Sequence, residues 1–135
     1  MGLIEKYANK DYFYFVFRVF VGLLFLQHGL QKLFGMFGGL GGQPAELLSL
    51  MGLAGIIETF GGLGIALGLF TRLIAFVTAI EMAVAYFMVH IPIGAVPLLN
   101  QGEPALLYFA SFLVIMVYGA GKWSLEKALM KKEVF

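Results

Sequence analysis

Two acidic residues, Glu58 and Glu81, stand inside long apolar stretches of the sequence and are the first candidates for chemistry. A carboxylate at the centre of a bilayer costs roughly 2.5–3.5 kcal/mol on insertion-derived scales, so it has to face protein, water or a ligand. Acids held in this way can bind a ligand or pass on a proton. We therefore expect both side chains to point into a shared interior and to take the catalytic roles.

Basic residues in the first apolar stretch can form ion pairs with these acids. At about 100° per residue, Arg18, His28 and Lys32 fall on one face of a helix. At a rise of about 1.5 Å per residue, Glu58 and Glu81 come to nearly the same depth. Arg18 can reach up to them, and His28 can reach down. Because two bare carboxylates at one depth repel each other, we expect Arg18 or His28 to pair with them, with Arg18 part of the catalytic group.

The same residues also allow a purely structural interpretation. Arg18, Glu58 and Glu81 can form a buried polar clasp that fixes the helix arrangement. Lys32 can snorkel to the nearer membrane surface, and Glu103 can stabilise the N-terminus of a helix. Ionisable groups inside a membrane are functional candidates by default, and the two roles are compatible.

The histidines bear on metal and haem binding. His28 and His90 stand on different helices, the minimum for a bis-imidazole haem, but single histidines on helices are more often hydrogen-bonded core or rim residues. A metal held by His28, His90 and Glu103 is equally disfavoured because their spacing carries no motif. The absence of cysteine excludes disulfides, thiolate metal sites and iron–sulfur ligation. We expect no metal site, and we assign His28, Lys32, Glu103 and His90 to ligand binding.

Four apolar stretches have to position these residues. They cover about residues 13–34, 48–69, 72–90 and 104–121, close to the ~20 residues that a helix needs to cross a bilayer. The 135 residues are 61% hydrophobic and 13% charged, about half the charged fraction of a soluble domain. The sequence therefore predicts an all-α, integral membrane four-helix bundle, a single transmembrane domain over residues 1–135.

The second stretch, LMGLAGIIETFGGLGIALGL (50–69), is rich in glycine. Gly55, Gly61 and Gly62 share the helix face of Glu58, and small residues let neighbouring helix backbones come close. We expect this helix to be the buried one. The 70–72 connection is so short that the third span must lie antiparallel beside the second.

Lysine and arginine are distributed unevenly between the two ends of the predicted bundle. One side holds both termini and the 70–72 turn, and the other holds only Lys32. The positive-inside rule then places both termini in the cytoplasm and makes Arg72 a topology anchor. The first span has no clear cleavage site, so we expect it to be retained in a multi-pass protein of the cytoplasmic membrane, with residues 1–11 as an interfacial turn. A net charge of +1 gives no nucleic-acid footprint.

Several short motifs resemble those of one known family. They are G-x-x-K at 29–32, E-x-x-G-G-x-x-x-x-x-G-x-x-T-R at 58–72, and N-x-G-E with G-x-G-x-x-S within 100–124. Their order and spacing resemble the DoxX family of small four-helix membrane proteins over nearly the whole chain. The last motif departs mildly from the family, which usually continues Ser-Leu-Asp where this chain has Ser124-Leu125-Glu126. The positions that match the family motifs are Arg18, Lys32, Glu58, Arg72, Asn100 and Glu103.

The resemblance implies a role beside redox enzymes. The family includes DoxD, a membrane subunit associated with thiosulfate:quinone oxidoreductase activity, and accessory partners of detoxifying enzymes. We therefore expect a membrane subunit of a quinone-linked oxidoreductase system, with quinone as the ligand and haem disfavoured. His28 or Lys32 would donate to a carbonyl, Glu58 and Glu81 would carry protons, and a redox partner subunit would supply electrons.

Two alternatives from other functional classes stay open. One is a structural or assembly subunit that docks into a larger membrane complex through its glycine-rich second helix. The other is a conduit for small solutes or protons, for which a homo-oligomer is one option. The absence of cysteine counts against direct redox chemistry, whereas the acids near the midplane count against an inert spacer.

Overall fold

The structure, a computed structural model, describes residues 8–134 together with Gly2 and Ile4. The predicted interfacial turn at residues 1–11 lies largely outside these described residues. Within them the chain forms helices and no β-strand, which confirms the all-helical prediction. The helices are α1 (Lys10–Phe34), a 3₁₀ turn (Met36–Gly38), α2 (Leu50–Leu67), α3 (Thr71–Ala85) with a π-helical continuation (Tyr86–His90), α4 (Pro97–Asn100), α5 (Glu103–Tyr118) and α6 (Leu125–Met130).

Three of these segments are long and apolar enough to cross a membrane, and a fourth is apolar but shorter. The long ones are Lys10–Phe34, Leu50–Leu67 and Thr71–His90, and the shorter one is Glu103–Tyr118. Helix α1 begins three residues before the predicted span because the side chain of Asn9 accepts hydrogen bonds from the backbone of its first turn. The chain is thus a multi-pass membrane protein whose helices contact the lipid bilayer.

A tight reversal joins α2 to α3. Gly68 ends α2 in the left-handed conformation (φ 72°), and Phe70, the residue before α3, is also left-handed (φ 44°). Two left-handed residues within three positions turn the chain back on itself, so α3 starts beside the end of α2. The expected antiparallel arrangement follows from this turn. We call the end where α2 and α5 finish the Arg18 end, and the opposite end the His90 end.

Helices α1 and α2 pack backbone against backbone along a seam of small residues. A methyl group built on Gly62 would lie 2.7 Å from the Gly22 carbonyl oxygen, and one built on Gly29 would overlap Thr59. The small residues of α2 recur at 55, 59, 62 and 66, the spacing of a left-handed helix pair. The closest packing elsewhere is between α3 and α5. The bundle is therefore built from two helix pairs, α1/α2 and α3/α5.

Aromatic and aliphatic side chains fill the middle of the bundle towards the Arg18 end. Phe25, Ile65, Phe112 and Ile115 are completely buried. The rings of Phe25 and Phe112 meet edge to face with 4.8 Å between their centroids. Most other large apolar side chains are exposed on the outside of the bundle, where lipid would cover them.

The chain after α5 folds back across the Arg18 end and ties the helices together. Tyr14 donates to the Gly119 carbonyl at 2.5 Å, and the Glu126 backbone amide donates to the Gly68 carbonyl at 3.1 Å. Arg72 donates to the Met116 and Val117 carbonyls, the last turn of α5. The predicted topology anchor thus stabilises a helix C-terminus, where a cation is favourable.

Candidate functional site

A buried ion pair joins α1 to α2. The ammonium group of Lys32 donates to both carboxylate oxygens of Glu58, at 2.6 and 2.5 Å. Only 15% of the Lys32 side chain and 4% of the Glu58 side chain are exposed. Gly55, one turn from Glu58, makes room, because a methyl group there would lie 2.9 Å from the Cβ atom of Lys32. The glycine seam therefore lets the lysine stem run along α2 to the acid.

The cation that meets Glu58 is Lys32, and this corrects the predicted pairing with Arg18 or His28. Arg18 is fully buried but donates to backbone carbonyls of Ile65 (2.5 Å), Ala66 (2.8 Å) and Trp123 (3.1 Å). The carbonyls of the last turn of a helix have no partner within the helix, and a nearby guanidinium satisfies them. The proposed clasp of Arg18 with the two acids is therefore wrong, and so is snorkelling of Lys32 to the surface.

Glu81, on α3, is the second acid of the site. Both of its carboxylate oxygens are buried, and within the described part of the chain neither has a hydrogen-bond partner. Glu58 and Lys32 line the same cavity as Glu81. The two acids thus reach a shared interior from α2 and α3. A buried polar group without a partner costs about 1–3 kcal/mol, so its retention points to a role beyond packing.

These residues line one cavity of about 590 Å³ in the half of the bundle towards the His90 end. Its walls are mostly apolar and come from α1, α2, α3 and α5. The polar side chains at its surface are Gln31, His28, Lys32, Glu58, Glu81, His90 and Tyr108. A largely apolar cavity of this size with a few convergent polar groups is typical of small-molecule sites.

The two histidines differ in how they are held. The His28 ring is exposed and meets the Tyr108 ring edge to face, with 5.6 Å between centroids. Nδ1 of His90 lies 3.0 Å from the Asn100 carbonyl, which can only accept, so Nδ1 carries the hydrogen. Asn100 is itself buried and bonded to Gly94 and Gly102, so it fixes the loop that holds His90. No group of three His, Asp or Glu side chains able to hold a metal occurs among the described residues.

Glu103 lies apart from this cavity. It is the exposed first residue of α5 and lines a second, more open cavity of about 520 Å³ between α1 and α5. Tyr108 and Pro104 line both cavities. Of the residues assigned to the site from sequence, Glu58, Glu81, His28, Lys32 and His90 come together, whereas Arg18 and Glu103 do not.

Sequence reasoning missed Tyr108. Its ring contacts His28, Phe25 and Phe112, so it links α5 to α1 at the cavity wall. The one available signal was a phenol inside an apolar segment, since a tyrosine placed there usually uses its hydroxyl group. Helix α5 carries no charge after Glu103 that would mark its inward face.

Comparison with known proteins gives a family and one relative. The family model described as DoxX matches residues 13–91, which span α1, α2, α3 and the π-helical turn. An uncharacterized protein of Haemophilus influenzae is 39% identical over 141 residues, covering 98% of this chain and all of the relative. No solved structure matches the chain. The family match includes Lys32, Glu58 and Glu81 and ends before α5.

Proposed function

The chain belongs to the DoxX family, and we propose that it is the membrane subunit of a quinone-linked oxidoreductase system of the thiosulfate:quinone oxidoreductase kind. The observation that carries the proposal is the cavity: apolar walls around a buried Lys32–Glu58 pair and a Glu81 carboxylate without a partner. A quinone needs an apolar slot, a donor for a carbonyl and a group that exchanges protons. The residues present fit these needs.

The cavity walls support a ligand that comes from the bilayer. Helices α2 and α3 meet at the 68–70 turn, and the cavity lies between them further from that turn. Wall residues on both helices, including Leu53, Val77, Ile80 and Met88, are also exposed on the outside of the bundle. The cavity is therefore bordered by lipid-facing side chains. An apolar tail could extend between α2 and α3 into the bilayer while a polar head group reaches Glu81.

Four polar residues of the cavity receive a role in this proposal. Lys32 donates to a ligand oxygen, and Glu58 holds the ammonium group in place. Glu81 exchanges a proton with the head group, and His28, at the exposed edge, exchanges protons with water. Reduction of a quinone takes two electrons and two protons, so a partner reductase supplies the electrons while these side chains move the protons. Arg18 has a structural role at the other end of the bundle.

The same geometry makes a through-conduit the weaker alternative. The aromatic pair of Phe25 and Phe112, with Ile65 and Ile115, fills the bundle between the cavity and the Arg18 end. A proton or solute path would have to cross this packed layer.

We also propose the finer topology. The four spans are those expected at residues 13–34, 48–69, 72–90 and 104–121, in a single transmembrane domain with both termini in the cytoplasm, in the cytoplasmic membrane. Arg18, Arg72, Lys122 and Lys127 all bind groups at the Arg18 end, and Lys32 lies in the other half. This asymmetry supports a cytoplasmic Arg18 end.

Titration of the purified protein with a short-chain quinone and its quinol, followed by calorimetry, tests the function. We expect binding to the unchanged chain, and at least about tenfold weaker binding to Ala54→Phe, because Ala54 lines the cavity and the added ring would fill it. Ala110→Phe is the matched control, because Ala110 is exposed on α5 and lines neither cavity. Absence of binding to the unchanged chain would refute the proposal and favour an assembly subunit.

A further inference from the structure

Glu81 offers hydrogen-bond acceptors to the cavity, but the nearby donors of the described chain are directed elsewhere. Lys32 has three N–H groups, and two of them are directed to Glu58. Thr78, one turn from Glu81 on α3, directs its hydroxyl group to the Ile74 and Ala75 carbonyls of its own helix. Both Glu81 oxygens are left without a donor from the described chain.

Glu81 needs a donor in either protonation state. An ionised carboxylate only accepts hydrogen bonds, whereas a protonated one donates once and still has an accepting oxygen. A quinone carbonyl only accepts, so it leaves the accepting oxygen of Glu81 unpaired in both states. A hydroxyl group both donates and accepts, so it can pair with Glu81 in both states.

We propose that the ligand presents a hydroxyl group to Glu81, so that the cavity holds the reduced, quinol form of its ligand more tightly than the oxidised form. This rests on the proposed function and names the redox form that the site retains. A cationic head group would also offer donors to Glu81, but it would bring a further charge among the mostly apolar walls of the cavity, and burying a charge costs more than burying a neutral polar group. The hydroxyl group of a neutral ring offers its donor without that cost.

A comparison of three matched probes tests the proposal. They are a decyl hydroquinone, its dimethyl ether and the corresponding quinone, titrated calorimetrically under anaerobic conditions into the full chain in lipid nanodiscs. Because a buried acceptor left unpaired is costly, we expect the hydroquinone to bind at least about tenfold more tightly than the ether or the quinone.

Variants at Glu81 test whether this residue causes the preference for the hydroquinone over its ether. Glu81→Leu should bring the ratio between hydroquinone and ether close to one, whereas Glu81→Gln, which keeps an accepting oxygen, should retain a preference. Glu103→Leu should leave the ratio unchanged, because Glu103 lies outside the cavity. Glu81→Gln is close in size to the native side chain and keeps the test valid if Glu81→Leu does not fold.

Each other outcome overturns the inference in a distinct way. Equal binding of the three probes, or tighter binding of the quinone, would refute the hydroxyl preference and leave the quinone-binding function standing. A preference that persists in Glu81→Leu would refute the assignment to Glu81. Failure of all three probes to bind the unchanged chain would remove the proposed function and this inference with it.

Discussion

A double-mutant cycle on Lys32 and Glu58 should reveal strong coupling between them. Lys32→Met leaves the Glu58 carboxylate without its cation, and Glu58→Gln leaves the ammonium group without its anion. The double variant removes both charges and keeps the approximate volumes. Because each single variant leaves one buried charge unpaired, both single variants should be much less stable than the double variant.

The expected loss of stability follows from the burial of Lys32 and Glu58. Exposed ion pairs contribute about 0–1 kcal/mol, but here only 15% of Lys32 and 4% of Glu58 remain exposed. Removing one partner of a buried pair costs about 3–5 kcal/mol, whereas an apolar or neutral replacement of both is often neutral or better. We expect each single variant to lose about 3 kcal/mol and the double variant to lose about 1 kcal/mol, so that the coupling energy between Lys32 and Glu58 reaches about 5 kcal/mol.

Unfolding by SDS in mixed micelles, followed by the fluorescence of Trp123, measures these free energies. Trp123 is the single tryptophan and packs edge to face on Phe15 at the Arg18 end, far from the substitutions. Its signal therefore reports the loss of the whole bundle. Additive losses, with the double variant as unstable as the sum of the two singles, would show that Lys32 and Glu58 do not interact and would refute the site geometry.

Three further predictions use the same unfolding assay. Glu81→Leu should raise the free energy of unfolding by about 1–2 kcal/mol, because it removes a buried polar group without a partner; a loss would indicate a partner that satisfies Glu81. Gly62→Ala should cost about 1–3 kcal/mol, because the methyl group would press on the Gly22 carbonyl, and Gly94→Ala, where the space is open, should be neutral. Arg18→Met should cost about 2–3 kcal/mol through the carbonyls it leaves buried, and equal stability to the unchanged chain would contradict its role at the end of α2.

Much of the fold could be predicted from composition alone. Long apolar stretches with few charges leave helices as the available structure in a membrane, because every backbone group must be satisfied internally. The inward direction of Glu58 and Glu81 follows from the same cost, since lipid offers a carboxylate no partner. The short 70–72 connection limits the direction of α3 to antiparallel.

The partners of the charged side chains could not be predicted in the same way. Snorkelling of Lys32 to the membrane surface was a reasonable expectation only without its neighbour, because a glycine-rich helix lets the lysine stem lie along it and reach Glu58 instead. The position of Arg18 depends on where α2 ends and on the return of the chain to bring the Trp123 carbonyl beside it. Both are properties of the packed bundle. Tyr108 was missed because an uncharged α5 gives no indication of which face is buried.

The helix pairs α1/α2 and α3/α5 are joined by hydrogen bonds at one end of the bundle and by side-chain contacts at the other. At one end, Arg18, Tyr14 and the returning chain link them through backbone hydrogen bonds. Towards the other end, aromatic rings such as Tyr108 and His28 meet by contact alone. The spacing between α2 and α3 can therefore change more towards the His90 end than beside the 68–70 reversal, which the Gly68–Glu126 hydrogen bond holds in place. If the proposed ligand binds in the cavity, it would stiffen the half of the bundle that these links leave the more compliant.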